Sequence, residues 1–133
     1  QKETAQKIER PIVAGLYLNR LKKGWPLQAD PTIIFCIREK KGQNTVIKRV
    51  LTADLKIDSP YNTYLNKGLP PGLISMPDVS AIDAVLNASK HNYYYMCANT
   101  DKIGFHTFAK TLSQHNRNAE KYHRWLNKKA INR

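Results

Sequence analysis

The stretch DPTIIFCIREKKGQNTVIKRVL, residues 30–51, decides how this chain is read. Asp30 followed by Pro31 suits a helix start, with the carboxylate at the cap and proline at the first helical position. The residues that follow point the other way. TIIFCI is β-branched and aromatic, a second such run, TVIKRVL, covers 45–51, and EKKGQN between them has the composition of a turn. That composition tips the reading towards a β-hairpin.

Upstream, IVAGLYLNRLK places apolar side chains at 12, 13, 14, 16, 17, 18 and 21. So broad a stripe predicts a largely buried helix. Pro11 suits the first turn of that helix, or kinks a longer one that starts earlier. Gly24 and Pro26 end it. Downstream lies a long loop over 56–78, whose centre is SPYNTYLNKGLPPG at 59–72. Neither helical nor strand periodicity survives there, and long loops in compact domains are often functional.

Pro77-Asp78 leads into VSAIDAVLNA, where the apolar residues at 79, 82, 85 and 86 are expected to face inward. YYYMCA after Asn92 and FHTFA after the turn NTDKIG predict two paired strands. Residues 111–129 predict a closing helix with Leu112, Ala119, Tyr122 and Leu126 inward and lysines at its C-terminal end. The expected fold is α+β, a single compact domain with helices at both ends and small antiparallel β pairs between them.

The 133 residues include 22 basic and 10 acidic side chains, a net charge of +12. Such a balance favours an anionic partner such as nucleic acid, a membrane surface or an acidic polymer, or else is a solvated basic surface. Cys36 and Cys97 match no metal spacing and are too few for a disulfide framework; both read as small core residues, and one bridge between them would fit an exported protein. No segment is long and apolar enough to span a membrane. The chain opens on QKETAQ without a methionine and reads as a fragment of a longer protein.

Several chemistries lack their residues. His91, His106, His115 and His123 form no HExxH, and His115 and His123 share a helix face without a third ligand. There is no GxSxG, no cysteine–histidine pattern, no GxGxxG and no P-loop. Neither a metal nor a cofactor is expected. Carboxylates remain. A glycosidase normally uses a pair, but one suffices when the leaving-group acid also serves as base and no water is activated. Glu3, Glu9, Asp30, Asp58 and Asp78 are the candidates, with Glu3 and Glu9 reading as plain first-turn helix acids and Asp30 as a cap.

KET at 2–4, VAGLYLNRLKKGWPLQADPT at 13–32, SPYNTYLNKGLPPGLI at 59–74 and HTFAKTLSQHN at 106–116 together resemble the MltG (YceG-like) family of endolytic murein transglycosylases. The resemblance covers nearly the whole chain. The segment REKKGQNTVIKR matches no motif of the family. The resemblance implies a catalytic domain, residues 1–133, with lysozyme-like surroundings of its acid. It also implies a longer chain with a membrane anchor and a LysM-like module, so that this piece can be folded yet inactive. The family's catalytic glutamate lies in a KET motif, which maps to Glu3.

The implied reaction is non-hydrolytic cleavage of the MurNAc-β-1,4-GlcNAc bond of peptidoglycan. Protonated Glu3 donates to the glycosidic oxygen. Its carboxylate then takes the proton of the muramic acid 6-hydroxyl, whose oxygen closes a 1,6-anhydro ring on C1. Such an acid must hold its proton near neutrality, which an apolar, partly dry setting provides. If one helix runs unbroken from Glu3, Ala14 and Leu21 lie on its side.

The loop at 59–72 would then form a wall of the glycan cleft, with Tyr61 and Tyr64 stacking on sugars and Asn62 and Thr63 bonding acetamido and hydroxyl groups. Asn62 tying the loop backbone together is the plainer reading. Gln28, Asp30, His106, His115 and Asn116 are further candidates for the same cleft. The implied partners are peptidoglycan strands, whose carboxylates suit the basic charge, and peptidoglycan synthases. The implied location is the extracytoplasmic side of the membrane, held by the N-terminal anchor. The alternatives are a non-catalytic peptidoglycan-binding module and a basic nucleic-acid-binding domain, neither of which would depend on Glu3; the resemblance favours no nucleic acid.

Overall fold

Helix α1 (Lys2–Lys23) runs straight through Pro11. An interior proline lacks the N–H that would close a turn and costs about 3 kcal/mol. Burial offsets it. Ala5, Glu9 and Leu16 are buried, and they share one stripe because Glu9 follows Ala5 by one turn and precedes Leu16 by two. Of the two readings of Pro11, the longer helix is the one observed. Gly24, at φ +70°, ends it, donating its N–H to the Leu21 carbonyl at 3.1 Å.

The structure, a computed structural model, describes residues 2–75 and 79–131, with the side chains of residues 2–4, 80, 130 and 131 left out. Pro77 and Asp78, read above as the entry to a helix, lie outside the described residues. Two compact units emerge: residues 2–19 with 79–131, and residues 20–75.

In the first unit, β1 (Tyr95–Ala98) and β2 (His106–Ala109) pair antiparallel, with Tyr95 opposite Ala109 and Cys97 opposite Thr107. These are the strands expected from YYYMCA and FHTFA. Asn99 shapes the turn, its Oδ1 accepting the N–H groups of Asp101 at 2.8 Å and Lys102 at 2.9 Å. Helix α4 (Leu112–Ile131) packs on both strands, where the His115 ring stacks on Tyr95 at 5.1 Å. Ala119, Tyr122 and Leu126 are half-buried as expected, but Leu112, at the exposed first turn, is not inward.

Helix α3 (Val79–Leu86) is found where expected, yet on the opposite face. Ala84 is buried, while Val79 and Leu86 are 74% and 76% exposed and Ile82 and Val85 are exposed too. The small alanine side faces the rest of the unit, and the larger apolar side chains are left outward. Segment 89–91 lies against α1: Ser89 N–H donates to the Pro11 carbonyl at 3.0 Å, and His91 Nε2 donates to the Ile12 carbonyl at 2.8 Å.

In the second unit the expected hairpin is absent. Residues 30–41 form helix α2 (Asp30–Lys41), and 45–51 contain no strand. The helical spacing of Ile33, Cys36 and Ile37, beside Thr32, buries one face, and that burial overrides the strand preference of β-branched side chains. Proline in the first turn starts the helix, and Gly42 at φ 111° turns the chain out of it. A short 3-10 helix (Thr52–Lys56) packs against α2. Cys36 is buried, Cys97 half-buried, and both are free thiols.

Candidate functional site

The first unit holds a cleft of about 340 Å³. Helix α1 contributes Gln6, Glu9, Arg10, Val13, Ala14 and Tyr17; α3 contributes Ala81, Ala84 and Val85; β2 contributes His106. Val13, Ala14, Ala81, Ala84 and Val85 make its aliphatic wall, and Gln6, Glu9, Arg10, Tyr17 and His106 bring polar groups to it. Glu9 is only 6% exposed, so its carboxylate needs strong partners to offset lost hydration. His106 supplies both. The His106 backbone N–H donates to Glu9 Oε2 at 2.8 Å, and its ring Nδ1 meets Oε1 at 2.8 Å. Glu9 is therefore no first-turn acid but a mid-helix residue that ties α1 to the start of β2.

The Glu3 side chain lies outside the described residues, but its backbone belongs to α1. With the helix unbroken, positions 3, 10 and 17 stand seven apart, two turns each. Position 3 thus falls on the row that carries Gln6, Arg10, Ala14 and Tyr17 along the cleft. Of the other candidates in this unit, Glu9 and His106 line the cleft. His115 stacks on Tyr95, and Asn116 is exposed on α4.

The second unit gathers Gln28, Asp30, Thr63 and Tyr64. Thr63 receives two successive amides: Gln28 N–H donates to its carbonyl at 3.2 Å and Ala29 N–H to its Oγ1 at 2.9 Å. Its hydroxyl also pairs with Thr32 Oγ1 at 2.8 Å. Gln28 is held at φ 51°, the one non-glycine described at positive φ, and its side chain is exposed. Such strain persists only where the surroundings impose it. Tyr64 donates its hydroxyl to Asp30 Oδ1 at 2.5 Å.

Asn62 and Thr63 were expected to touch sugar, but their side chains turn inward. Asn62 is 0% exposed. Its Nδ2 donates to the carbonyls of Leu55 at 3.0 Å and Ile57 at 2.8 Å, and its Oδ1 accepts Tyr64 N–H at 2.8 Å. The plainer reading of Asn62, as the tie of the loop, describes these bonds. Tyr61 packs on Phe35, centroids 4.7 Å apart, and its hydroxyl lies over Gly72, where an added Cβ would stand 3.2 Å away. SPYNTY is therefore held by hydrogen bonds to residues 55 and 57 and to segment 28–32, and by the Tyr61 ring on Phe35.

Sequence reasoning underrated Glu9. The available signal was an acid in the middle of α1's buried stripe, in step with Ala5 and Leu16. Among the described residues, no three histidine, cysteine or acidic side chains gather to hold a metal.

The profile of the YceG-like family matches residues 1–121. This chain belongs to the YceG-like family. Over 122 residues, 92% of the chain, it is 43% identical to a Bacillus subtilis (strain 168) protein named endolytic murein transglycosylase. Over the same share it is 34% identical to proteins of that name from two Streptococcus pneumoniae strains. A crystal structure of a yceG-like protein from Listeria monocytogenes superposes with a TM-score of 0.68 at 43% identity, over 79% of this chain and 32% of that one. The YceG-like chain spans 32% of the length of the Bacillus relative and 22% of the streptococcal ones.

Proposed function

We propose that this chain is the catalytic segment of an endolytic murein transglycosylase. It cleaves the MurNAc-β-1,4-GlcNAc bond of peptidoglycan without water, leaving 1,6-anhydro-muramyl ends. Glu3 gives its proton to the glycosidic oxygen as the C1–O4 bond breaks, and N-acetylglucosamine leaves with its 4-hydroxyl restored. The carboxylate of Glu3 then takes the 6-hydroxyl proton while O6 bonds to C1, which regenerates the acid. Nothing else is consumed.

What supports this reading is that α1 runs unbroken from residue 2 to 23 and lines the cleft with Gln6, Arg10, Ala14 and Tyr17, in a chain whose relatives are named endolytic murein transglycosylases. Within the second unit, Gln28, Asp30, Tyr61 and Tyr64 are offered for glycan binding, with Asn62 and Thr63 holding the loop; within the first, His106, His115 and Asn116 are. The net charge of +12 favours a polymer that bears lactyl and stem-peptide carboxylates. The protein works on the extracytoplasmic side of the membrane, anchored by a segment upstream of this one, beside the peptidoglycan synthases.

The test is a muropeptide mass spectrum after incubation of purified peptidoglycan with the full-length protein and its Glu3→Gln variant. Anhydro-muramyl ends from the wild type and none from a normally folded variant are expected. Undiminished cleavage by Glu3→Gln would remove Glu3 from the mechanism.

A further inference from the structure

We propose that Glu9 is a positioning residue that fixes His106 with its proton on Nδ1, so that Nε2 stands in the cleft as an acceptor for a hydroxyl or amide N–H of the bound glycan. This rests on the glycan-cleaving reading of the same cleft.

Glu9 Oε2 takes the His106 backbone N–H and Oε1 meets Nδ1, each at 2.8 Å. Oε1 accepts in this contact, so in its neutral form the ring carries its hydrogen on Nδ1. Nε2 then keeps its lone pair. The His106 side chain is 41% exposed and lines the cleft, whereas Glu9 is buried beneath it. The cleft's aliphatic wall includes Val13, Ala14, Ala81 and Val85. A cleft of that kind takes an apolar face and one correctly placed donor, which an N-acetylated sugar offers.

His91 provides the contrast within the same unit. Its Nδ1 accepts the Tyr93 N–H at 3.1 Å and its Nε2 meets the Ile12 carbonyl at 2.8 Å, which demands the opposite tautomer. His91 is thus the internal reference for any spectrum of His106.

The Glu9→Gln side chain has nearly the same volume but a different hydrogen pattern. Its amide oxygen can still accept the backbone N–H, while its NH2 donates to Nδ1 and forces the ring hydrogen to Nε2. A donor then faces the sugar's donor. The experiment is histidine-selective 15N labelling of the full-length protein, with long-range proton–nitrogen spectra of wild type and Glu9→Gln, paired with kcat and KM on soluble uncrosslinked glycan strands. His106→Phe assigns the signal.

The expected result is Nδ1–H at His106 and Nε2–H at His91 in the wild type. In Glu9→Gln, His106 should switch to Nε2–H and KM should rise about tenfold with kcat changed much less. A wild-type His106 with Nε2–H would overturn the proposal even if the variant failed to fold. So would a switched tautomer with unchanged KM. If the wild type leaves no anhydro ends, the catalytic reading fails, and the tautomer assignment is judged by the spectrum alone.

Discussion

Gly15 lies directly under the carbonyl of Ser89: a Cβ added at Gly15 would overlap the Ser89 oxygen and come within 2.8 Å of His91 Nε2. The obstacle on the Ser89 side is backbone, tied in turn to α1 by the Ser89 N–H bond to the Pro11 carbonyl. No rotamer change relieves it. Gly15→Ala is therefore expected to destabilise the protein by about 3 kcal/mol, despite the better helix propensity of alanine. Denaturant midpoints of wild type and variant measure it; an equal or higher midpoint for the variant would show that segment 89–91 does not press on α1.

The loop at 59–72 depends on Asn62. Asn62→Ala removes two donors and one acceptor from a fully buried site and strands the carbonyls of Leu55 and Ile57. A loss of about 3 kcal/mol follows from three bonds of ordinary worth. Asn62→Asp should be worse, since a carboxylate would face two carbonyl oxygens. Denaturation curves and the rate of limited proteolysis within 55–66 report both. A variant with wild-type stability and reduced glycan binding would instead return Asn62 to the sugar.

Burial pushes the Cys97 thiol above its ordinary range. The folded chain holds this proton to higher pH than the unfolded one. The contribution to stability is therefore fully present below the unfolded thiol value of about 8.5 and is lost as pH rises through the folded value. Alkylation of Cys97 by iodoacetamide at pH 8 should be several-fold slower in the folded protein than in urea, as read by peptide mass spectrometry. Equal rates would mean that the thiol is not desolvated.

Legibility in the sequence followed the competition between local and tertiary terms. The β1–β2 pair was readable because YYYMCA and FHTFA carry strand composition and Asn99 marks the turn between them. Helix α4 was readable from its period and its C-terminal lysines. Helix α2 was not, because Ile33, Ile34 and Phe35 have strand preferences that only the packing of Ile33, Cys36 and Ile37 reverses. Helix α3 was located but turned the wrong way, since the burial of Ala84 rather than Ile82 depends on what lies opposite. At the site, the motifs around Glu3 and His106 point to α1 and β2, and both elements line the cleft. The Glu9–His106 pair escaped, because the two residues are 97 positions apart and no local pattern joins them. Asn62 was assigned to sugar, whereas its side chain is buried and bonds the loop backbone.

Whether C1 is attacked by O6 of the same sugar or by water is read from oxygen-18. Purified peptidoglycan is digested by the full-length protein in H2(18)O, and the released muropeptides are weighed. Anhydro-muramyl ends that carry no oxygen-18 are expected, because O6 of the same sugar closes on C1. Reducing ends, each heavier by one oxygen-18, would mean that water attacks C1, and would contradict a mechanism in which Glu3 alone serves as acid and then as base.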